Sequence, residues 1–597
     1  MRKLKYVLDL LSKNEKKQAI YLFFLILIMA FLDTLGVASI MPFIAVLANP
    51  ELVQSNNTLV FFYSKSNIFG INTVSQFLFF LGIFVFILLM ISLTVRGITY
   101  YVQIRFALMR EYTIGRRLME SYLGQPYNWF LNKHSAELGK NILSEVNQII
   151  DRTIMPIINI IVNGLITLSL FILLVIIDPK LALSVSLILG LSYFLIFQIT
   201  KKLLRKMGSA RLISNKARFK ALTEAFNSVK EVKVSGLEEE FIQRYSKPAQ
   251  NFAKNESLAN VIFSVPRFFI EAIAFGSLII LTLFLLKNYG NFANIVPIIA
   301  LYAFAGYRLI PSLQVLYLSL SSLKFSGPSL EAIHKDMMNL KNLENISFNS
   351  KRMKYLSSIE LKNVSYKYPN STKNVVKNIN LYIKSNSRLG IVGESGSGKT
   401  TFIDILLGLL EPTNGEIYID GNLITEQNKK SWQKNIGYIP QSFYLSDDTI
   451  ANNIAFGINP QSINKEAIIK ASKIANLHNF VTNELPKKYD TLIGEDGINL
   501  SGGQRQRIGI ARALYHDPKI LVLDEATNSL DNITERAVME SVEKLSNKIT
   551  LIIIAHRLST IKKCDNIILI DKGEIKSMGI YENLLNDERF KTLALAE

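Results

Sequence analysis

The sequence predicts a membrane α-helical bundle of six transmembrane helices with long cytoplasmic extensions, followed by an α/β P-loop domain. Two observations carry that expectation. The apolar residues of the 597-residue chain are concentrated before position 325 in stretches of membrane length, and a glycine-rich loop between a strand and a helix opens the more polar remainder.

A helix rises about 1.5 Å per residue, so crossing a hydrocarbon core of about 30 Å takes roughly 20 mostly apolar residues. Stretches near 20–47, 74–102, 154–177, 181–199, 258–286 and 295–320 qualify, the third and fourth meeting at a tight turn, Asp178-Pro179-Lys180. The first is preceded by a polar, basic segment and lacks a small-residue cleavage pattern, so it is expected to stay in the mature protein. Basic loops tend to remain cytoplasmic. Lysine and arginine crowd the start of the chain, 105–117 and 201–254, whereas 49–72 and 287–294 carry few charges, which places both ends on the cytoplasmic side. The connections after spans two and four are too long for turns and show helical apolar periodicity, so they are expected to be helical extensions.

The formal net charge of +19 fits either a nucleic acid or an anionic inner leaflet, and the apolar spans favour the membrane. A soluble ATPase acting on nucleic acid is excluded on the same ground. One cysteine, Cys564, permits no intrachain disulfide, structural zinc site or iron–sulfur cluster, and reads as an inert thiol.

In the second half, a strand at 389–392 leads into Gly393-Glu394-Ser395-Gly396-Ser397-Gly398-Lys399-Thr400-Thr401 and then an apolar helix. That is a P-loop in its required context: glycines let backbone N–H groups face phosphates, Lys399 reaches the β/γ-phosphates, and the Thr400 hydroxyl is a ligand for Mg²⁺. The division is therefore a transmembrane domain at 1–330, a linker at 331–356 and a nucleotide-binding domain at 357–597. Downstream, the apolar run 520–523 ends in Asp524-Glu525, two acids at the carboxyl end of a buried parallel strand. Asp524 is placed to hold Mg²⁺ through water, and Glu525 to orient or deprotonate an attacking water.

Between these lies Leu500-Ser501-Gly502-Gly503-Gln504, followed by a basic helix. With it the chain resembles the ABC family, specifically its exporter half-transporters, over essentially its whole length. Other elements match in order: Tyr368, Gln441 in Tyr438-Ile439-Pro440-Gln441, Ser529-Leu530-Asp531, and His556 after a strand. The resemblance implies a P-loop NTPase domain of ABC type that uses ATP and Mg²⁺. In it Tyr368, with Tyr366 as competitor, stacks on adenine; Gln441 touches Mg²⁺ and the attacking water; and His556 contacts the γ-phosphate. It also implies that Ser501, Gly502, Gly503 and Gln504 serve the nucleotide held by an opposite domain, so a homodimer is the simplest assembly, with a heterodimer left open. Transverse coupling helices are implied near 127–132 and 237–241, and Gly494-Glu495-Asp496-Gly497 resembles the exporter loop that contacts them.

Charges inside membrane spans are costly and mark pathways or partners. Arg96, Arg267 and Arg308 are such charges, and a basic cavity suits a phosphate-bearing cargo. The alternatives are that Arg96 snorkels to the interface and that Arg267 pairs with Glu271 one turn away. Val265-Pro266-Arg267 with Glu271, Tyr307-Arg308-Leu309-Ile310-Pro311-Ser312, and 36–45 with Met41-Pro42-Phe43 resemble bacterial flippases of polyprenyl-pyrophosphate-linked oligosaccharides. Val315 stands where that family carries a further arginine, and 52–69 occupies the place of its external helix. The resemblance implies export or flipping of a lipid-linked glycan or similar anionic amphiphile across a bacterial inner membrane. A multidrug or peptide exporter of the same fold, and from another class an ATP-gated channel or regulatory protein, are the alternatives.

Overall fold

In the computed structural model the described residues are 2–55, 57–66, 71, 73–177, 179–289, 292–340, 352–369, 371–525, 532–543, 548–555 and 558–595. The chain divides into two compact units, Met1–Gln125 with Lys133–Leu343, and Pro126–Asn132 with Glu344–Glu597.

The first unit is helical. α1 (Arg2–Leu10) precedes α2 (Lys13–Ala48), whose start is fixed by a capping box: Ser12 accepts from the Glu15 N–H while the Glu15 carboxylate accepts from the Ser12 N–H. Two short helices follow, α3 (Leu52–Ser55) and α4 (Asn57–Ser66), so the segment read as an external helix is helical within its described residues. α5 (Val74–Leu123) opens on a second capping box, Thr73 with Gln76, and runs without interruption through the expected second span and its extension. Next come α6 (Tyr127–Phe130), α7 (Ser135–Lys140), a π-helical turn at Asn141–Glu145, α8 (Val146–Ile149), a second π-helical turn at Ile150–Ile154, and α9 (Met155–Ile177). Asp178, expected in the tight turn, lies outside the described residues. α10 (Pro179–Asn227) begins with proline at its first position, where a missing N–H costs nothing.

α11 (Val229–Ser235) ends at Gly236, whose φ of 62° is a left-handed cap, and α12 (Glu238–Tyr289) starts immediately after. The segment expected as a second coupling helix thus forms this turn and the first turn of α12. α13 (Phe292–Asn339) continues beyond position 330, where the sequence placed a linker, because Leu330 and Ile333 keep the helical apolar spacing and are fully buried. Among the described residues four helical stretches are long and apolar enough to cross a membrane: Lys13–Ala48, Val74–Leu123, Ser135–Ile177 and Ala182–Asn227. The expected fifth and sixth spans fall within α12 and α13.

Packing in this unit is polar as well as apolar. α10 lies along α12, and α13 against α9 and α10. A Cβ on Gly208 of α10 would sit 1.9 Å from the Phe325 carbonyl oxygen of α13, so only glycine permits that approach. Beneath it Glu145, fully buried, accepts from Arg211 (2.7 Å), Asn215 (2.7 Å) and Ser329 (2.7 Å), and Arg211 also meets Glu256 (3.2 Å). Glu145 and Arg211 are thus hydrogen-bonded, as a buried ion pair requires, and Lys140 adds a longer ion pair to Glu145 at 3.9 Å.

The second unit holds two sheets. β1 (Ser358–Tyr366), β2 (Val376–Lys384), β4 (Asn414–Ile419) and β5 (Asn422–Leu423) form an antiparallel sheet in the order β2-β1-β4-β5, after β3 (Arg388–Val392) is set apart. β3 belongs with β6 (Ile436–Ile439), β7 (Ile520–Asp524), β8 (Thr550–Ile554), β9 (Asn566–Asp571) and β10 (Glu574–Gly579) in the order β10-β9-β3-β8-β7-β6. All pairs in this sheet are parallel except β9–β10. β7 and β8 are buried at every residue, which is why they read as unbroken apolar runs.

Candidate functional site

The P-loop connects β3 to the helix Lys399–Leu406. Its path depends on glycine at both ends: a Cβ on Gly393 (φ 155°) would lie 2.1 Å from the Ile570 carbonyl oxygen, and one on Gly398 (φ 104°) 2.8 Å from that of Val375. Lys399 folds back over the loop and donates to the carbonyls of Gly393 (2.7 Å) and Glu394 (2.8 Å). Burial lowers its pKa, opposed by the carboxylates of Glu525 and Asp524, which brings lysine and acids into one field. Ser397 Oγ is buried without a hydrogen-bond partner. Glu394, Ser395, Gly396 and Thr400 are exposed, whereas Thr401 is buried and its hydroxyl lies 3.0 Å from that of Tyr368.

The two aromatic candidates separate cleanly. Tyr366 is 4% exposed and belongs to the β-sheet core, while Tyr368 is half-buried, edge-on to Tyr366 at 5.1 Å and held by Thr401. Tyr368 is the ring that can present a face to a ligand.

At the carboxyl end of β7, Asp524 is 6% exposed and accepts from the Tyr438 hydroxyl (3.2 Å), while Glu525 accepts from Gln441 Nε2 (2.6 Å). Glu525 has φ 51°, and its N–H donates to the Ile554 carbonyl of β8 (3.1 Å). A left-handed non-glycine residue at a strand end is strained, and here the strain aims a carboxylate at Gln441. Asp404, on the P-loop helix, is pushed up to about 6 by burial and by Asp524. Sequence reasoning passed over it as one helical residue among many.

Ser501 and Gln504 form a capping box at the start of the helix Gly502–Leu514: Ser501 accepts from the Gln504 N–H (3.2 Å), and Gln504 accepts from the Ser501 N–H (2.9 Å). That box aligns the first-turn N–H groups of Gly502 and Gly503, which have no intrahelical acceptor. Arg512, on the same helix, donates to the carbonyls of Asn453 (2.8 Å) and Tyr444 (2.8 Å), fastening the helix to the stretch after Gln441. His556 and Ser529-Leu530-Asp531 lie outside the described residues.

Oxygen ligands suit Mg²⁺, which keeps several waters and binds through one or two protein groups plus substrate phosphates. Thr400, Gln441 and Asp524 supply oxygens of that kind, and no group of three or more His, Cys, Asp or Glu side chains gathers among the described residues. The residues present fit such an ion shared with a nucleotide, and not a metal cage made by protein alone.

In the first unit, Arg96 and Arg308 converge on one carboxylate, Asp33 of α2, at 3.8 and 3.9 Å. Ser92 donates to the same group at 2.6 Å. Arg267 is not part of this cluster; it pairs with Glu271 at 2.6 Å, the intrahelical alternative. Sequence reasoning missed Asp33 because it looked for cations, although Asp33 is the one charged residue between Lys17 and Glu51.

Comparison with known proteins places this geometry. Residues 17–306 match the ABC transporter transmembrane region and 376–528 the ABC transporter model. An ATP-dependent lipid A-core flippase of Cupriavidus pinatubonensis is 30% identical over 473 residues, 79% of each chain. This chain belongs to the ABC transporter family. A second lipid A-core flippase, from Syntrophus aciditrophicus, is 45% identical over 227 residues, 38% of this chain and 37% of that relative. One from Alkalilimnicola ehrlichii is 42% identical over 230 residues, 38% of this chain and 38% of that relative. A solved bacterial Atm1-family ABC exporter with ATP bound superposes with a TM-score of 0.78 at 20% identity, over 97% of this chain and 98% of that one, so the ABC transporter fold is shared end to end.

Proposed function

We propose that this ABC transporter chain is one half of a dimer that couples ATP hydrolysis to flipping or exporting an anionic amphiphile, a lipid-linked oligosaccharide or a related lipid, across a bacterial inner membrane. The observation that carries the cargo reading is the meeting of Arg96 and Arg308 at one buried carboxylate: two cations against one anion leave an excess positive charge among membrane helices. The relatives named as lipid A-core flippases support a lipid cargo. So does a cavity of about 610 Å³ between α2, α4 and α5, lined by Pro42, Phe62, Phe77 and Phe84 with Lys65 as its cation. Arg267, bound to Glu271, is a weaker participant in this reading.

The engine is read from the second unit. Tyr368 stacks on the adenine, with Thr401 steadying its hydroxyl, and residues 393–398 wrap the phosphates with backbone N–H groups. Lys399 exchanges its two loop carbonyls for phosphate oxygens, a stronger charge-assisted contact. Thr400, Asp524 and Gln441 would hold Mg²⁺, which would supply positive charge against that developing on the phosphates. Glu525, oriented by Gln441 and by its own backbone, takes the proton of the attacking water. His556 contributes a γ-phosphate contact. Ser501 to Gln504 offer their helix start to the nucleotide of the partner, so neither half completes a site alone. ATP then favours the closed pair of nucleotide domains over the open pair, and that difference in affinity drives the membrane helices.

The test is ATP-driven translocation of a lipid-linked oligosaccharide and of a zwitterionic lipid in proteoliposomes. The reading expects the Arg96→Gln/Arg308→Gln double variant to lose the first selectively. Undiminished oligosaccharide-lipid transport by that variant would sink it.

A further inference from the structure

The Asp33 cluster differs from the buried Arg211–Glu145 pair of the first unit. Arg211 and Glu145 meet at 2.7 Å with Asn215 and Ser329 completing the bonds. Around Asp33 the separations are 3.8 Å (Arg96 Nη1 to Oδ2) and 3.9 Å (Arg308 Nη1 to Oδ1), beyond the roughly 2.7–3.2 Å of an N–H···O bond. Asp33 Oδ2 accepts no hydrogen bond although the side chain is 2% exposed. Only Ser92 is properly bonded, at 2.6 Å to Oδ1. Among the described residues neither guanidinium donates a hydrogen bond, so their fork donors remain available. Arg96 is 42% exposed and forms the open side of the group, Arg308 is 16% exposed and forms its inner side.

A carboxylate that attracts two arginines without engaging their donors holds them in place but does not satisfy them. Arginine satisfies phosphoryl oxygens through paired N–H groups, and a phosphate or diphosphate carries enough oxygens to serve two such forks. We propose that Asp33 is a resident counter-ion: it keeps Arg96 and Arg308 adjacent in the cargo-free protein and competes with the cargo's phosphoryl group for them. The proposal rests on the anionic-cargo reading above and names the residue that regulates it. Asp33 is a positioning residue with two opposed effects. It pre-assembles the pair, which favours binding, and its own charge repels the phosphoryl group once bound, which favours release.

The test uses the full-length protein in phosphatidylcholine nanodiscs, with ATPase stimulation measured against added long-chain polyprenyl diphosphate and, in parallel, uncharged polyprenol. Asp33→Asn keeps the size and the Ser92 bond and removes the charge. It is expected to lower the half-saturating concentration of the diphosphate about 5- to 10-fold, within the ordinary range of coupling between interacting sites, and to lower the maximal rate, with the polyprenol response unchanged. Asp33→Glu, which restores the charge, is expected to return both values towards the wild type. If the role were only packing, the larger Glu would be the more harmful change, and that order would overturn the proposal. So would an Asp33→Asn protein with an unchanged half-saturation, or one shifted equally for both probes. Should Asp33→Asn not fold, Asp33→Ser removes the same charge with less bulk and is expected to lower the half-saturating diphosphate concentration in the same direction; an unchanged value overturns the proposal. Failure of the cargo reading looks different: the wild type treats the two probes alike and arginine substitution changes nothing. A selective wild type, impaired by Arg308→Gln but indifferent at Asp33, refutes the counter-ion alone.

Discussion

Replacing Glu525 by Gln isolates one charge. The backbone N–H of residue 525 donates to Ile554 whatever the side chain, and a glutamine can still pair with Gln441 across the 2.6 Å contact by turning its amide. What is lost is the difference between a charge-assisted and a neutral hydrogen bond at a partly exposed position, about 1 kcal/mol of stability or less. Turnover is another matter. Removing a positioned base costs about 10²- to 10⁴-fold in rate, or about 2.7–5.4 kcal/mol at about 1.36 kcal/mol per decade. Phosphate release by the full-length protein under saturating Mg-ATP should therefore fall at least a hundredfold. ATP affinity and the melting temperature should stay near the wild type. A variant hydrolysing ATP within about threefold of the parental rate would show that Glu525 takes no proton, since that loss is far below what removing a general base produces.

Three further outcomes are expected. Gly208→Ala forces a Cβ into the Phe325 carbonyl and should destabilise the helical unit by about 1–3 kcal/mol or more, read as a lowered melting temperature in detergent; an unchanged one would mean α10 and α13 can separate freely. Tyr368→Ala should weaken ATP binding by about 1–2 kcal/mol, a stacking contribution, measured by equilibrium titration of a fluorescent nucleotide, whereas Tyr366→Ala should instead unfold the sheet core. Asp404 carries a pH signature. Its folded pKa, about 6, lies above the ordinary 3.8, so the folded state keeps a proton that the unfolded state has lost. Its ionisation therefore costs nothing below about pH 4, and the penalty grows to at most about 3 kcal/mol by about pH 6 and above. Asp404→Asn removes that penalty, so its stability gain over the wild type should widen from about pH 4.5 to about pH 7.5; a gap independent of pH would exclude the effect.

Much of this architecture is visible in the amino-acid order because its causes are local. Membrane length needs only apolar continuity, capping boxes at Ser12/Glu15 and Thr73/Gln76 need only spacing of three, and β7 and β8 announce themselves as unbroken apolar runs. The P-loop is legible for the same reason, since Gly393 and Gly398 answer to backbone clashes that no other residue tolerates. What stayed hidden depends on contacts between distant positions. That Tyr366, the competitor of Tyr368, is a core residue follows from which ring the sheet covers. The end of α13 was misplaced because residues after 330 look polar, although Ile333 still packs inward. Asp33 was overlooked because its meaning comes from Arg96, 63 positions on by the numbering, and Arg308, 275 positions on.

The π-helical turns at Asn141–Glu145 and Ile150–Ile154 give this region a lopsided tolerance to length changes. Each α-helical residue turns the chain about 100°, and a π turn absorbs one surplus residue without unwinding its neighbours. Glu145 closes the first turn and meets Arg211; Thr153, in the second, lies 2.7 Å from Ser326. Deleting a single residue from either turn would leave a more regular helix that points one of these side chains elsewhere, stranding its partner in the interior. Regularity gained locally would be lost in the assembly of the bundle. The surplus residues are thus better understood as a gear tooth, setting the phase of one helix against the others, than as imperfections a redesign should smooth away.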